Sequence, residues 1–234
     1  MSNNTFNGFS KQTIKFYVNL SKNNDKAWFE KHRDEFDEFV LEPARFFVHD
    51  MGVRLKKLSP GIQADPRIDK SIFRIYRDIR FSKDKSPFKT NLGIFFWEGN
   101  GPKMERQGFY LHIEPRGIMI ACGKHTFPKH VLAAYRESVV HPDHGKRLDG
   151  LIKKITKDNS YTVGGEHYKK VPRGFDPSHK NAGYLRHSGL YLLYNSPVPP
   201  EFFTPKFLEF CFKRWSEMFP VYQWLKEISE NAKA

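Results

Sequence analysis

Cysteine is scarce in this chain. Cys122 and Cys211 are the only two in 234 residues, too few for a disulfide framework or a thiolate metal cage, and that usage points to a reducing cytoplasm. Long apolar runs are also missing. The longest, near Gly189 to Tyr194, falls far short of the ~20 residues that span a bilayer, so no membrane partner is expected. The N-terminal Met1-Ser-Asn-Asn-Thr-Phe has no basic and then apolar stretch, so no secretory leader is expected. No nucleophile elbow, P-loop or zinc-finger spacing occurs, and Gly164-Gly165 and Gly99 to Gly101 are too short to cradle a phosphate. Neither a metal nor a cofactor is expected.

Aromatics and positive charge are plentiful. Twenty-two Phe and a hydrophobic share of 39% suffice for a packed core without staples, so one domain over 1–234 is expected. The net charge of +13 is not spread evenly: residues 67–187 hold 24 basic side chains against 12 acidic, whereas both flanks are nearly balanced. Such segregation fits a face turned toward an anion; a solvated basic surface is the plain alternative.

Periodicity then orders the chain. Phe9, Ile14, Tyr17 and Leu20 recur at helical spacing. Asn24 is expected to cap a second helix carrying Trp28, Phe29, His32, Phe36, Phe39 and Val40, and Pro43 to open a third that ends at Pro60-Gly61. Short β-rich runs follow at Phe73 to Ile75, Leu92 to Trp97, Phe109 to Ile113 and Ile118 to Ala121, separated by hairpin connections. Helices return at Lys129 to Ser138 and His144 to Ile155, a strand at Gly189 to Tyr194, and a helical C-terminus split at Phe219-Pro220. The pattern is α+β: an antiparallel meander packed with N-terminal and C-terminal helices.

The chemistry concentrates in residues 74–90, where Arg74, Arg77, Arg80, Lys83, Lys85 and Lys89 stand against Asp78 and Asp84. As a strand this segment projects Arg74, Tyr76, Asp78 and Arg80 on one side and hides Phe73, Ile75, Ile79 and Phe81. Arginine forks and lysine point charges recognise phosphate or carboxylate. Asp78 and Asp84 either orient those cations, act as general bases, or form an ordinary ion-pair network with them. A second basic cluster, Lys169, Lys170 and Arg173, lies in the Pro172-Arg-Gly-Phe-Asp turn, where Gly174 permits an unusual backbone angle. His112 is expected opposite Tyr110 on its strand, sharing a face with Glu114, as a third weak catalytic candidate. The pairs His141/His144 and His125/His130 have metal-like spacing but lack nearby carboxylates.

Asn23-Asn24 with Trp28-Phe29, the block from Tyr76 to Lys89, Gly108-Phe-Tyr-Leu-His-Ile-Glu and Pro172-Arg-Gly-Phe-Asp together resemble the conserved hypothetical proteins known as domain of unknown function 2461. The resemblance runs from about Phe9 to Leu225. It implies a single intracellular domain and supplies no reaction. Three functions follow from the residues themselves. The first is recognition of a phosphate- or carboxylate-bearing small molecule. The others are a nucleic-acid-binding module, with Phe81, Phe88, Tyr110 and Phe175 available to stack, and an enzyme acting on a small anionic metabolite.

Overall fold

The computed structural model describes residues 5–232. Ser10 opens the first helix, α1 (Lys11–Lys22): its hydroxyl accepts from the Thr13 backbone N–H, and the Thr13 hydroxyl accepts from the Ser10 N–H. The next stretch does not run as one helix. It is cut into α2 (Lys26–Lys31), α3 (Arg33–Phe36) and a π-helical turn, Asp37–Leu41. His32 makes the cut. Its Nδ1–H donates to the Trp28 carbonyl at 2.7 Å, in place of a backbone donor, and its ring stacks on Trp28 at 3.9 Å. Helix α4 (Glu42–Leu58) then starts with Pro43 in its first turn.

The strands are β1 (Ile62–Gln63), β2 (Leu92–Glu98), β3 (Gly108–Glu114), β4 (Gly117–Lys124), β5 (Thr162–Glu166) and β6 (His187–Ser196). They form an antiparallel, meander-like sheet in the order β1-β2-β3-β4-β6-β5. With α5 (Lys129–Val140), α6 (Pro142–Ile155) and α7 (Lys206–Asn231) this is the expected α+β class. Period-two alternation sorts the side chains. Ile94, Phe96, Phe109, Leu111, Ile113, Ile118, Ile120, Leu190 and Leu192 are buried, whereas Phe95, Tyr110, His112, Tyr191 and Leu193 are only half-buried.

Two expectations about these elements fail, and one strand is not anticipated. Phe73 to Ile75 is extended but is no strand: it touches β2 through a lone Ile72–Ile94 bridge, with Phe73 N–H donating to the Gly93 carbonyl at 3.0 Å. The chain then leaves β2 to meet residues 86–89, so no ladder develops. Strand β5 was hidden from the period-two pattern by Gly164-Gly165, where the β5–β6 register slips. Gly165 has φ +103° there, and a Cβ would lie 2.1 Å from the Gly189 carbonyl oxygen. Finally, α7 runs unbroken through Pro220. Met218, Val221, Tyr222 and Trp224 are all buried, and burial of that apolar stripe outweighs the missing N–H.

The chain divides into two compact units. The first comprises the chain up to Phe96 with Tyr110–Ile120 and Asn195–Lys213. Its core joins Phe6, Phe9, Phe47, Phe202 and Phe207, the Phe9 and Phe202 rings stacking at 5.0 Å. The second comprises Trp97–Phe109, Ala121–Tyr194 and the chain from Arg214. There Phe109 stacks on Tyr222 at 4.7 Å, Trp215 Nε1 donates to the Ala121 carbonyl, and Trp224 Nε1 donates to the His144 carbonyl. Glu98 accepts from the Tyr222 hydroxyl at 2.5 Å and from Lys226 Nζ at 3.1 Å.

Because Pro220 is exposed within a continuous helix, Pro220→Ala restores a backbone donor without opening a cavity. Urea denaturation should show stabilisation by about 1–3 kcal/mol; a loss of stability would mean that the pyrrolidine ring itself packs.

Candidate anion site

The basic segment is one arm of an irregular hairpin in the first unit. Tyr76 pairs with Phe88, Arg77 N–H donates to the Pro87 carbonyl at 2.9 Å, and Lys89 N–H donates to the Ile75 carbonyl at 2.7 Å. Phe88 turns inward, 2% exposed, and stacks on Phe29 at 4.4 Å. Asn24 holds it there. Its Nδ2 donates to the Phe88 carbonyl at 2.9 Å, and its Oδ1 accepts from the Phe88 N–H at 3.0 Å. The expected helix cap is therefore Asp25, not Asn24: the Asp25 carboxylate accepts from the Trp28 N–H at 2.8 Å. Two segments that carry the family resemblance, Asn23-Asn24 and the long basic block, thus meet through one carboxamide.

The cations of this arm fall into two groups. Arg77 Nη1 donates to Asp84 at 2.5 Å and to the Ser86 carbonyl at 3.0 Å. Arg80 forks onto both oxygens of Asp78, at 2.9 and 2.6 Å. The Arg80 fork holds the Asp78 carboxyl down at about 2, and the Ser86 hydroxyl and N–H, with Arg77, do the same for Asp84. Carboxylates that acidic are weak bases at neutral pH. Lys85 Nζ donates to the Ile79 carbonyl at 3.1 Å, and Lys83 is exposed. Phe81, expected inside, is 96% exposed: the chain turns at Arg80-Phe81, so the strand alternation stops there.

Arg74 and Lys89 form the second group. Lys89 Nζ donates to the Arg74 carbonyl at 2.8 Å and lies 5.7 Å from the Phe73 ring centroid. Among the described residues neither side chain reaches a carboxylate within ion-pairing distance. Partial burial, and then the Arg74 guanidinium, hold the Lys89 ammonium below its ordinary value, with Asp69 pulling weakly the other way. The Phe73 ring meets Tyr110 edge-on at 6.0 Å. Tyr110 in turn fills the space over Gly93, where a Cβ would lie 2.9 Å from the phenol oxygen.

His112 lies on the same face as Tyr110, not opposite it, since a two-residue step along a strand returns to one side. Its Nδ1 is 3.2 Å from the Tyr110 hydroxyl and 3.3 Å from Asn91 Nδ2, and its Nε2 is 3.7 Å from Glu114. The Asn91 amide can only donate, so Nδ1 is the acceptor and Nε2 carries the proton toward Glu114. Burial holds His112 below its ordinary range against the pull of Glu114, and burial pushes Tyr110 up to about 12. Asn91 and Gly93 escaped the sequence reading, which takes Phe73 only as a hidden apolar side chain; the glycine within an otherwise bulky β run is the available signal.

Arg173 belongs to the second unit. It is exposed in a turn where Gly174 has φ +90°, and its neighbour Asp176 accepts from the Ser178 N–H at 2.8 Å. His141 caps α6 through Nδ1, and Cys122 and Cys211 are free thiols in the core. Among the described residues no cluster of three or more His, Cys, Asp or Glu side chains is placed to hold a metal, and no helix is long and apolar enough to cross a membrane.

The chain belongs to the family described as conserved hypothetical protein (DUF2461), whose profile matches residues 12–224. No curated protein matches it.

The clamp and the buried histidines each make a prediction. Asn24→Ala leaves the Phe88 N–H and C=O, both inside, without partners. It should cost about 1–3 kcal/mol in a denaturant titration, and a neutral result would show that the clamp is idle. His112 and His187 are both held below the ordinary histidine range by burial. The unfolded chain therefore takes up protons that the fold refuses. Stability should be complete above about pH 6.5 and fall on acidification below it. Melting from pH 7.5 to 5 should show that decline, shallower in His112→Gln; a flat profile would contradict it.

Proposed function

We propose that this family member recognises a small phosphate- or carboxylate-bearing molecule at the Arg74–Lys89 corner of the first unit. One observation carries the reading: the partly desolvated Lys89 ammonium donates to the Arg74 carbonyl, and neither of these two cations has a carboxylate in ion-pairing reach among the described residues. Bringing like charges together costs free energy, which an anion bound between them returns. Arg77 and Arg80 differ, because Asp84 and Asp78 already occupy their forks. They shape the loop, and Lys83 and Lys85 add field around it. Arg173 is retained as a cation of the second unit with no role assigned at this corner. Two buried free thiols support a cytoplasmic setting.

A second reading makes the protein an enzyme on the same class of anion. It is favoured by the line from Tyr110 through His112 to Glu114. A neutral His112, whose Nδ1 accepts from Asn91 and faces the Tyr110 hydroxyl, can take a proton from a ligand hydroxyl that displaces them.

Titration calorimetry with inorganic phosphate tests the first reading. Arg74→Ala and Lys89→Met should each weaken binding by about 1.5–3 kcal/mol, the worth of a hydrogen bond to a charged group. Methionine keeps an apolar stem over Phe73, so stability should move by less than about 1 kcal/mol. Equal phosphate affinity in both variants and the unchanged protein would refute the site.

A further inference from the structure

The basic arm carries more than charge. Between Arg74 and Lys85, two large rings stand in solvent: Tyr76 is 44% exposed and Phe81 96%. They are not alike in support. Tyr76 leans on Phe88 at 5.1 Å and Phe29 at 6.5 Å, so one flank is fixed to the core. Among the described residues Phe81 is met by the Arg80 guanidinium, 5.9 Å from its ring centroid. An almost wholly exposed Phe at a turn forgoes the free energy of burying its ring unless a partner covers it.

The surroundings of the two rings specify that partner. Six cations and two carboxylates lie in residues 74–89. Both carboxylates are occupied by arginines of the same arm, and this leaves Arg74, Lys83, Lys85 and Lys89 without carboxylate partners in ion-pairing reach. Two exposed rings on an arm that also carries four cations without carboxylate partners match a polyanion whose planar groups are unstacked and accessible. A bilayer fits less well, since the tip Arg80-Phe-Ser-Lys-Asp-Lys has a single large apolar side chain and a carboxylate. A duplex is excluded by the same logic, because its bases present no open π-face.

We propose that the arm from Arg74 to Lys89 is a platform for single-stranded nucleic acid. One base stacks on the Phe81 face opposite the Arg80 guanidinium, and another on the exposed side of Tyr76. Lys83 and Lys85 meet phosphates on the loop side of Phe81, and a further phosphate occupies the Arg74–Lys89 corner. For that last contact only, the platform rests on the anion reading above.

Fluorescence anisotropy with a labelled ten-nucleotide oligothymidylate, run beside phosphate titration, separates the two. Phe81→Ala should weaken oligonucleotide binding roughly five- to 150-fold, the worth of one stacked base. Phe81→Trp should retain it, and neither change should alter the melting temperature or phosphate affinity, because Phe81 touches no core residue. The slope of log affinity against log salt should be roughly −3 for about four phosphates on a single strand. Oligonucleotide binding equal in Phe81→Ala and the unchanged protein would overturn the platform. So would binding to phosphatidylserine vesicles with none to the oligonucleotide. Phosphate binding without oligonucleotide binding would sink the platform and leave the anion site standing. Oligonucleotide binding that depends on Phe81, without phosphate binding, would do the reverse.

Discussion

One carboxamide sets the geometry of the candidate site. Asn24 satisfies both peptide groups of Phe88, a residue whose side chain is inside the core. A buried backbone donor and acceptor without partners are costly, and no sheet ladder reaches this residue. The clamp lets the chain turn a ring inward at 88 while the next residue, Lys89, stays at the surface. Everything on the hairpin depends on that reversal. Phe88 stacks on Phe29, Tyr76 leans on Phe88, and the Lys89 ammonium is carried to the Arg74 carbonyl.

Counting charge overstates what the segment can offer a ligand. Of the six cations between 74 and 89, two arginines are already taken, Arg77 through Nη1 by Asp84 and Arg80 through its fork by Asp78. These pairs are largely exposed, so they organise the loop more than they stabilise the fold. The cations that remain available are distinguished by what they lack. Lys89 is partly desolvated, and the Arg74 guanidinium holds its ammonium lower still. Chemistry on the neighbouring strand face follows from a vacancy: only a glycine at 93 leaves room for the Tyr110 ring, and Tyr110 then meets His112.

Much of the architecture was legible in the residues, and the failures have physical causes. Hairpin punctuation gave β2, β3 and β4 because turn chemistry and alternation agreed there. The helix expected through His32 failed because a side chain took over a backbone hydrogen bond, which periodicity does not register. Pro220 was read as a break, since propensity is local and burial of the α7 stripe is not. The basic block was found as a block. Its division into occupied and free cations was not, because Asp78 and Asp84 could equally orient, react or neutralise until their distances were known. Asn24 drew attention for capping chemistry, and its real partner lies 64 positions along the chain.

The decisive measurement is phosphate titration of Asn24→Ala, made at a temperature where circular dichroism shows the variant folded. Asn24 carries no charge and holds the Phe88 peptide groups rather than either cation. If its clamp is what seats Lys89 beside Arg74, affinity should fall toward that of Lys89→Met. Affinity equal to that of the unchanged protein would contradict it, and would mean that the two cations meet an anion without the hairpin being held.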